Sequence, residues 1–261
     1  MAKDDEGDTP LHLAVTEGFL FSVLCTLIDE FKCNPNTKGS KGRTILHFAA
    51  QNGHVGFVRK LVRECGSLAM AKDDDGDTPL HLAALGGSLS TVCTLIDEFK
   101  CDPNTKGSKG RIILHFAAQK GHVDFVRKLV RECGSVAMAK DDDGDTSLHF
   151  AALGGSFSTV CILIDELKCV CSTAGFRGRI PLHYVALGGH VDTVCTKLVR
   201  DYKCDVMAKD KNRHIPLHYT ALGGSLSTVC TLIDEFKCDL KTKGFRQDPC
   251  AAHGSDIVGL S

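Results

Sequence analysis

Residues 76–87 read GDTPLHLAALGG, and residues 144–155 return almost the same stretch as GDTSLHFAALGG. The Leu-His pair at the centre of this stretch recurs along the whole chain, with its histidine at His12, His47, His81, His115, His149, His183 and His218. Successive histidines are 34 or 35 residues apart. A near-constant period of this length indicates a solenoid, in which each unit buries its apolar face against its neighbours.

The unit around residue 81 predicts two helices and a loop. Thr78 suits an N-cap whose hydroxyl accepts a free N–H of the first turn, and Pro79 suits the first helical position because it lacks an N–H. Gly86–Gly87 then ends this helix after about two turns. Residues 88–99 carry an apolar stripe at helical spacing and predict a second helix. Residues 100–111, rich in Gly, Pro, Asn and Lys, predict an extended loop or hairpin, which we call the finger.

Composition excludes several classes of protein. The 261 residues carry 31 Lys and Arg against 32 Asp and Glu, a net charge of -1, so no basic excess indicates nucleic-acid binding. No apolar run approaches the ~20 residues of a spanning helix, and we expect no membrane insertion. The acidic start, MAKDDEGD, lacks the apolar segment of a secretory leader. We therefore expect an intracellular protein, in the cytoplasm, whose 14 cysteines are reduced.

The period and the motif resemble ankyrin repeats, whose signature is T-P-L-H-x-A in a unit of about 33 residues. TPLHLAA at 78–84 fits without a gap, whereas TILHFAA (44–50), TSLHFAA (146–152) and IPLHYVA (180–186) drift from the signature. The resemblance covers residues 1–247. It implies an all-α solenoid of seven stacked helix-turn-helix units with projecting hairpin-like loops, followed at 248–261 by a degenerate partial eighth repeat or a tail. It also implies a function in binding other macromolecules.

The repeated histidines are predicted to be structural. A catalytic group needs one unique environment with partners in reach, whereas these seven occupy equivalent places along a rod. We expect each buried imidazole to bond backbone or threonine groups and to tie one unit to the next. The acidic stretch KDDDGD at 72–77 fails as a calcium loop because Ala71 and Leu82 stand where acidic ligands are needed. The sequence therefore predicts no enzyme, no cofactor and no metal site.

The cysteines are periodic as well, but no C-x2-C pair indicates zinc, and the nearest approach is Cys169-x-Cys171. One set lies on the apolar stripe of the second helix and is predicted to be buried filler: Cys25, Cys93, Cys161, Cys195 and Cys230. Another set follows that helix and is predicted to be partly exposed and oxidisable: Cys33, Cys101, Cys169, Cys204 and Cys238.

Finger tips alternate in charge along the chain. Acidic tips at 3–8, 72–77 and 140–145 are separated by basic tips at 37–43, 105–111 and 176–179. This alternation favours a protein partner with spaced charges of both signs, or else a mild self-attraction along the rod that also serves solubility. The candidate partner-binding residues in the fingers are Asp74, Asp75, Asp77, Lys106, Lys109, Arg111, Asp142, Asp143, Asp145, Phe176 and Arg177.

The end of each first helix gives a second candidate surface. In ankyrin repeats the two residues after the Ala-Ala pair commonly face the partner. The resemblance thus implies the following candidates on a concave first-helix surface: Leu85, Gln119, Lys120, Leu153, Leu187 and Leu222. The leucines are either bare anchors for a partner or packed against an adjacent helix.

Three functions remain open on these observations. The first is a non-catalytic scaffold for protein partners, and the second is an interaction module cut from a larger signalling or membrane protein. The third is a redox- or metal-responsive protein, suggested by the cysteines. The terminal units carry no evident caps, so end-to-end association is a further expectation. Ile112, Ile180 and Ile215 replace the N-cap threonine, and two of them fall late in the chain, so we expect the C-terminal units to open first.

Overall fold

The structure of the protein is a computed structural model that describes residues 3–16, 21–189 and 194–238. Every regular element in these ranges is helical, and β-pairing there amounts to one isolated antiparallel bridge between Lys140 and Thr146. The all-α prediction is confirmed. The predicted partial repeat or tail at 248–261 lies outside the described residues.

Successive helices form pairs along the described chain. The pairs are α1 (Pro10–Thr16) with α2 (Phe21–Asp29), α3 (Ile45–Gln51) with α4 (Val55–Arg63), α5 (Pro79–Leu85) with α6 (Leu89–Cys93), α7 (Ile113–Lys120) with α8 (Val123–Arg131), α9 (Ser147–Leu153) with α10 (Phe157–Cys161), α11 (Pro181–Gly188) with α12 (Thr196–Arg200), and α13 (Pro216–Gly223) with α14 (Leu226–Cys230). Helices α6, α10 and α14 each continue into one wider π-helical turn: Thr94–Glu98, Ile162–Glu166 and Thr231–Glu235.

The first helix of each pair stacks on the first helix of the next, from α1 through to α13. The contact surface is built from fully buried leucine and alanine, as at Leu80, Ala83 and Ala84. Small residues bring the helices close together. At Gly154, a Cβ atom would lie 2.0 Å from the backbone oxygen of Gln119 in the preceding unit. The core is therefore one continuous strip along the solenoid.

The start of the first helix follows the prediction in position but not in every bond. Thr78 is the N-cap, with extended backbone at φ -99° and ψ 166°, and Pro79 follows it in the first turn. The Thr78 N–H donates to Nδ1 of His81 over 3.2 Å, and the Thr78 hydroxyl lies 2.9 Å from the same nitrogen. The hydroxyl thus bonds the imidazole instead of a free N–H. At Ile112 only the backbone bond remains, with 3.0 Å between its nitrogen and Nδ1 of His115.

The predicted burial of the two cysteine sets is wrong for most of their members. In the helical set Cys25, Cys93 and Cys161 are half-buried, Cys195 is buried and Cys230 is exposed. In the set after the helix Cys33 is half-buried, whereas Cys101, Cys169, Cys204 and Cys238 are buried.

The reason is a backbone turn just before the second set. Lys100 has φ 56°, a left-handed conformation that directs the next residue back into the seam between units. Cys101 Sγ there lies 3.8 Å from the carbonyl oxygen of Ala69. Burial raises the pKa of Cys101 to about 11, as it does that of Cys169, so these thiols stay protonated.

Among the described residues, no helix combines the length and the apolar character that crossing a membrane requires.

The candidate binding surface

Each acidic finger is organised by its own first aspartate. Asp73 Oδ1 accepts the N–H groups of Asp75 and Asp77 over 3.1 and 2.8 Å. Asp73 Oδ2 pairs with Nε of Arg43 from the preceding finger at 3.0 Å, and the Asp73 side chain is 0% exposed. These bonds explain the Asp-x-x-Gly-Asp pattern as turn chemistry, with no ligand needed.

Neighbouring fingers are joined backbone to backbone and backbone to side chain. Asp77 Oδ1 accepts the N–H of Ser108 in the next finger over 2.8 Å. The N–H of Asp74 donates to the carbonyl of Lys41 over 2.9 Å, and that of Asp142 donates to the carbonyl of Lys109 over 3.0 Å. Burial raises the pKa of Asp77. The fingers therefore form a connected row whose backbone is held in place.

The histidines form a second seam beneath this row. In His149, Nδ1 accepts the N–H of Thr146 over 3.0 Å, while Nε2 lies 3.1 Å from the carbonyl oxygen of Thr173 and 3.3 Å from that of Arg179. A carbonyl only accepts, so Nε2 carries the proton and Nδ1 does not. The ring edge also meets Tyr184 at 5.3 Å between centroids.

This geometry keeps the imidazoles neutral. Burial desolvates the charged form and lowers the pKa of four of them to about 4: His47, His115, His149 and His183. Protonation of Nδ1 would also replace the acceptor lone pair with an N–H, which would then face the backbone N–H donor and break this hydrogen bond. The prediction that the motif histidine ties one unit to the next is confirmed from His12 to His183, where each Nε2 lies 3.0–3.2 Å from a carbonyl oxygen of the following unit.

Six of the predicted finger residues are exposed at the tips: Asp74, Asp75, Lys106, Lys109, Asp142 and Asp143. Lys106 Nζ lies 4.0 Å from Asp142 Oδ1, with 63% and 66% of the two side chains exposed. Lys38 and Asp74 stand in the same relation at 4.0 Å. Ion pairs this long and this exposed contribute little to stability, so the charges are available to another molecule.

The other predicted finger residues lie deeper. Asp77 and Asp145 are buried, and Asp145 Oδ1 accepts the N–H of Phe176 over 2.9 Å. The Arg111 side chain is 13% exposed and its guanidinium stacks over Phe150 at 4.6 Å from the ring centroid. Phe176 and Arg177 are half-buried. Asp77, Asp145 and Arg111 hold the array together, and a binding surface has to rest on the exposed tips.

The candidate residues at the first-helix ends divide in the same way. Lys120 is exposed and Gln119 is half-buried. Leu85 and Leu153 are partly buried and pack against the core, which favours the packing alternative for both. Leu187 is half-buried, and Leu222 is 64% exposed.

Sequence reasoning missed a ladder of ion pairs on the second-helix face. Glu98 accepts from Arg59 and Arg63 of the preceding unit, each over 2.6 Å. Glu166 binds Arg127 and Arg131 in the same way, over 3.0 and 2.6 Å. The sequence did contain a signal for this ladder. An Arg-x-x-x-Arg motif recurs, and its two arginines stand 39 and 35 residues before a glutamate each time. Within the described residues, no group of three or more His, Cys, Asp or Glu is placed to hold a metal ion.

Comparison with known proteins gives a consistent result. A family model described as ankyrin repeats in three copies matches residues 11–107 and 87–174, and one described as an ankyrin repeat matches 177–211. The chain is similar to 26S proteasome non-ATPase regulatory subunit 10 of Dictyostelium discoideum, with 43% identity over 65 residues, 25% of this chain and 27% of that protein. It is also similar to Rabankyrin-5 of Mus musculus, with 40% identity over 57 residues, 22% of this chain and 5% of that protein. The matched segments thus span only a small part of either relative.

Proposed function

The chain belongs to the ankyrin-repeat family, and from that premise we propose that it is a non-catalytic scaffold that binds protein partners through its finger tips and concave first-helix surface. Ankyrin repeats generally mediate protein–protein interaction, and stacked units create extended concave surfaces for it. The two relatives contribute no partner, because each is matched over a short segment.

One observation supports the proposal most directly: the charged side chains at the finger tips are carried by a row of fingers whose backbones are hydrogen-bonded to each other. Asp74, Asp142 and Lys106 are exposed, while the backbones beneath them are hydrogen-bonded from finger to finger. Groups that are ordered before binding lose little entropy on binding. Neighbouring units lie roughly 10 Å apart, about one helix diameter. The fitting partner is therefore a protein surface with charges of both signs at about this spacing, with Lys120 and Leu222 as further contacts on the concave side.

The test is a paired pull-down from cell lysate at physiological salt, with bound proteins identified by mass spectrometry. One bait is the native chain, and the other carries lysine at Asp74, Asp75, Asp142 and Asp143. A third bait controls for charge alone, with lysine at four exposed acidic residues of the second-helix face: Glu64, Asp124, Glu132 and Asp201.

A partner retained by the native and control baits and lost by the finger variant would support binding through the fingers. A partner lost equally from both variants would indicate a response to net charge and would contradict the assignment. If neither variant changes the set of bound proteins, the acidic tips do not bind the partner. Substitution of Lys120 and Leu222 would then test the concave surface.

A second candidate is an interaction module within a larger protein. The match to Rabankyrin-5 covers 5% of that protein, so a segment similar to this chain lies within a much longer polypeptide. An antibody raised against the array would measure the size of the native polypeptide by immunoblotting. A band well above the size of 261 residues would favour this candidate, and a band at that size would contradict it.

A further inference from the structure

The cysteines that follow the second helices form a regular seam between units. Each of the buried thiols points at a carbonyl oxygen of the preceding unit. The donor and acceptor pairs are Cys101 with Ala69 at 3.8 Å, Cys169 with Ala137 at 3.7 Å, Cys204 with Cys171 at 3.8 Å, and Cys238 with Val206 at 4.0 Å. The seam thus places the backbone of one position beside the thiol of the next unit, 32 or 33 residues later.

One member of the seam differs in chemistry from the others. The accepting position holds alanine at Ala69 and Ala137 and valine at Val206, none of which can react with a thiol. In the fifth unit it holds Cys171, so here two thiols meet across the boundary between units. Cys204 Sγ lies 3.8 Å from the carbonyl oxygen of Cys171, and Cys171 Sγ lies 3.4 Å from the carbonyl oxygen of Tyr202, two residues before Cys204.

The surroundings make the two thiols unequal. Cys171 is half-buried, and its Sγ lies 3.4 Å from the carbonyl oxygen of Tyr202. Cys204 is only 5% exposed. The neighbouring Cys204 thiol lowers the pKa of Cys171, and the same contact raises the pKa of Cys204. Cys171 is thus the accessible nucleophile and Cys204 the protonated partner behind it.

We propose that Cys171 and Cys204 are an oxidation site, where a peroxide closes a reversible disulfide between the fifth and sixth units. The Cys171 thiolate attacks one peroxide oxygen, so that an S–O bond forms, the O–O bond breaks and hydroxide leaves to take up a proton. The sulfur of Cys204 then attacks the sulfenic acid, the S–S bond forms, and the S–O bond breaks as water leaves with the Cys204 proton. Two thiols and one hydrogen peroxide give one disulfide and two waters.

The disulfide would tie together two units that otherwise meet through non-covalent contacts. It closes a loop that contains all of α11 and α12, between Cys171 and Cys204. A cross-link of this length restricts the opened chain and so disfavours opening. We expect amide hydrogen exchange in α11 and α12 to slow by about tenfold or more after oxidation.

The test treats the native full chain with hydrogen peroxide, alkylates the remaining thiols with iodoacetamide, and digests with trypsin. The expected product joins CVCSTAGFR (169–177) to CDVMAK (204–209) with the loss of two hydrogen atoms. The first peptide holds two cysteines, so the variants Cys169→Ser and Cys171→Ser identify the one that reacts. Cys171→Pro restores the residue found at Pro35 and Pro103 and serves as a folded control checked by circular dichroism.

The proposal predicts the cross-link in the native chain and in Cys169→Ser, its absence in Cys171→Ser and Cys171→Pro, and its reversal by dithiothreitol. Recovery of Cys171 fully alkylated after peroxide treatment would overturn the proposal, as would a cross-link that persists in Cys171→Ser. A cross-link that forms only in denaturant would also overturn it, because the folded seam would then play no part. None of these outcomes depends on whether the fingers bind a protein.

Discussion

Replacing His149 with glutamine should lower the free energy of unfolding at neutral pH and weaken its dependence on pH. Glutamine at this third helical position can still accept the N–H of Thr146, as in a capping box. It does not reproduce the donation from Nε2 to the carbonyls of Thr173 and Arg179, at 3.1 and 3.3 Å. A lost hydrogen bond that leaves a buried acceptor unpaired costs about 1–3 kcal/mol, which sets the expected loss at pH 7.5.

The pH dependence follows from the two protonation states. The pKa of His149 is about 4 in the folded protein because burial penalises the imidazolium, against 6.5 when the chain is unfolded. Between these values the unfolded chain binds one proton more, so stability falls as pH falls, by about 1.4 kcal/mol per pH unit. The window of pH 6.5 to 4 therefore removes about 3 kcal/mol through this one residue.

Glutamine does not titrate, so the variant escapes this loss. The gap between wild type and His149→Gln should shrink by about 2 kcal/mol between pH 6.5 and 5, and the two curves should meet near pH 5. Thr146→Val is the matched control, because it removes the hydroxyl that lies 3.0 Å from Nδ1 and leaves the imidazole titratable. It should lower stability without changing the slope.

The assay is urea unfolding followed by far-ultraviolet circular dichroism at pH 7.5, 6.5, 5.5 and 5.0. Burial raises the pKa of the Asp145 carboxyl, so the folded protein takes up this proton more readily than the unfolded chain and the group opposes the trend as the pH falls. Curves for wild type and His149→Gln that stay parallel throughout would show that the imidazole titrates alike in both states. That result would refute the neutral, buried histidine.

Two further predictions concern the packing and the order of opening. Gly154→Ala should lower the free energy of unfolding in urea by about 1–3 kcal/mol, because its Cβ would lie 2.0 Å from the backbone oxygen of Gln119. The control Gly56→Ala, which has open space around it in α4, should leave this free energy unchanged or raise it. Equal effects of the two substitutions would contradict the close approach at Gly154. Hydrogen exchange should be fastest in the C-terminal units, since Ile180 and Ile215 lack the hydroxyl that bonds the imidazole, and slower exchange there than at the N-terminus would refute this.

Much of the fold could be predicted from sequence because its determinants are local. Thr78, Pro79 and Gly86 mark the start and end of the first helix within one short stretch, and the structure has that helix at Pro79–Leu85. The recurrence of the stretch then determines the architecture, since a unit that cannot bury its apolar face alone must stack.

The candidate site was less predictable because exposure depends on contacts between units. In the acidic stretch at 72–77, Asp73 and Asp77 are buried by bonds to neighbouring backbone, and only Asp74 and Asp75 remain at the tip. All four have the same side chain, so composition could not separate them. Arg111 likewise reads as a surface charge, yet it stacks on Phe150.

The sequence by itself determined the positions of the first helices, because the residues that start and end each helix lie within one short stretch. It determined the repeat and the structural role of the histidines because that stretch recurs at a near-constant period, with each histidine in an equivalent place. The tertiary structure decided which charges are exposed, which cysteines face the seam, and that Cys171 meets Cys204. These outcomes depend on the stacking distance between units and on a left-handed turn at Lys203, φ 57°, which brings together residues 33 positions apart. The spacing of residues along the chain does not show which residues of neighbouring units lie opposite each other, since that alignment arises only when one unit packs against the next.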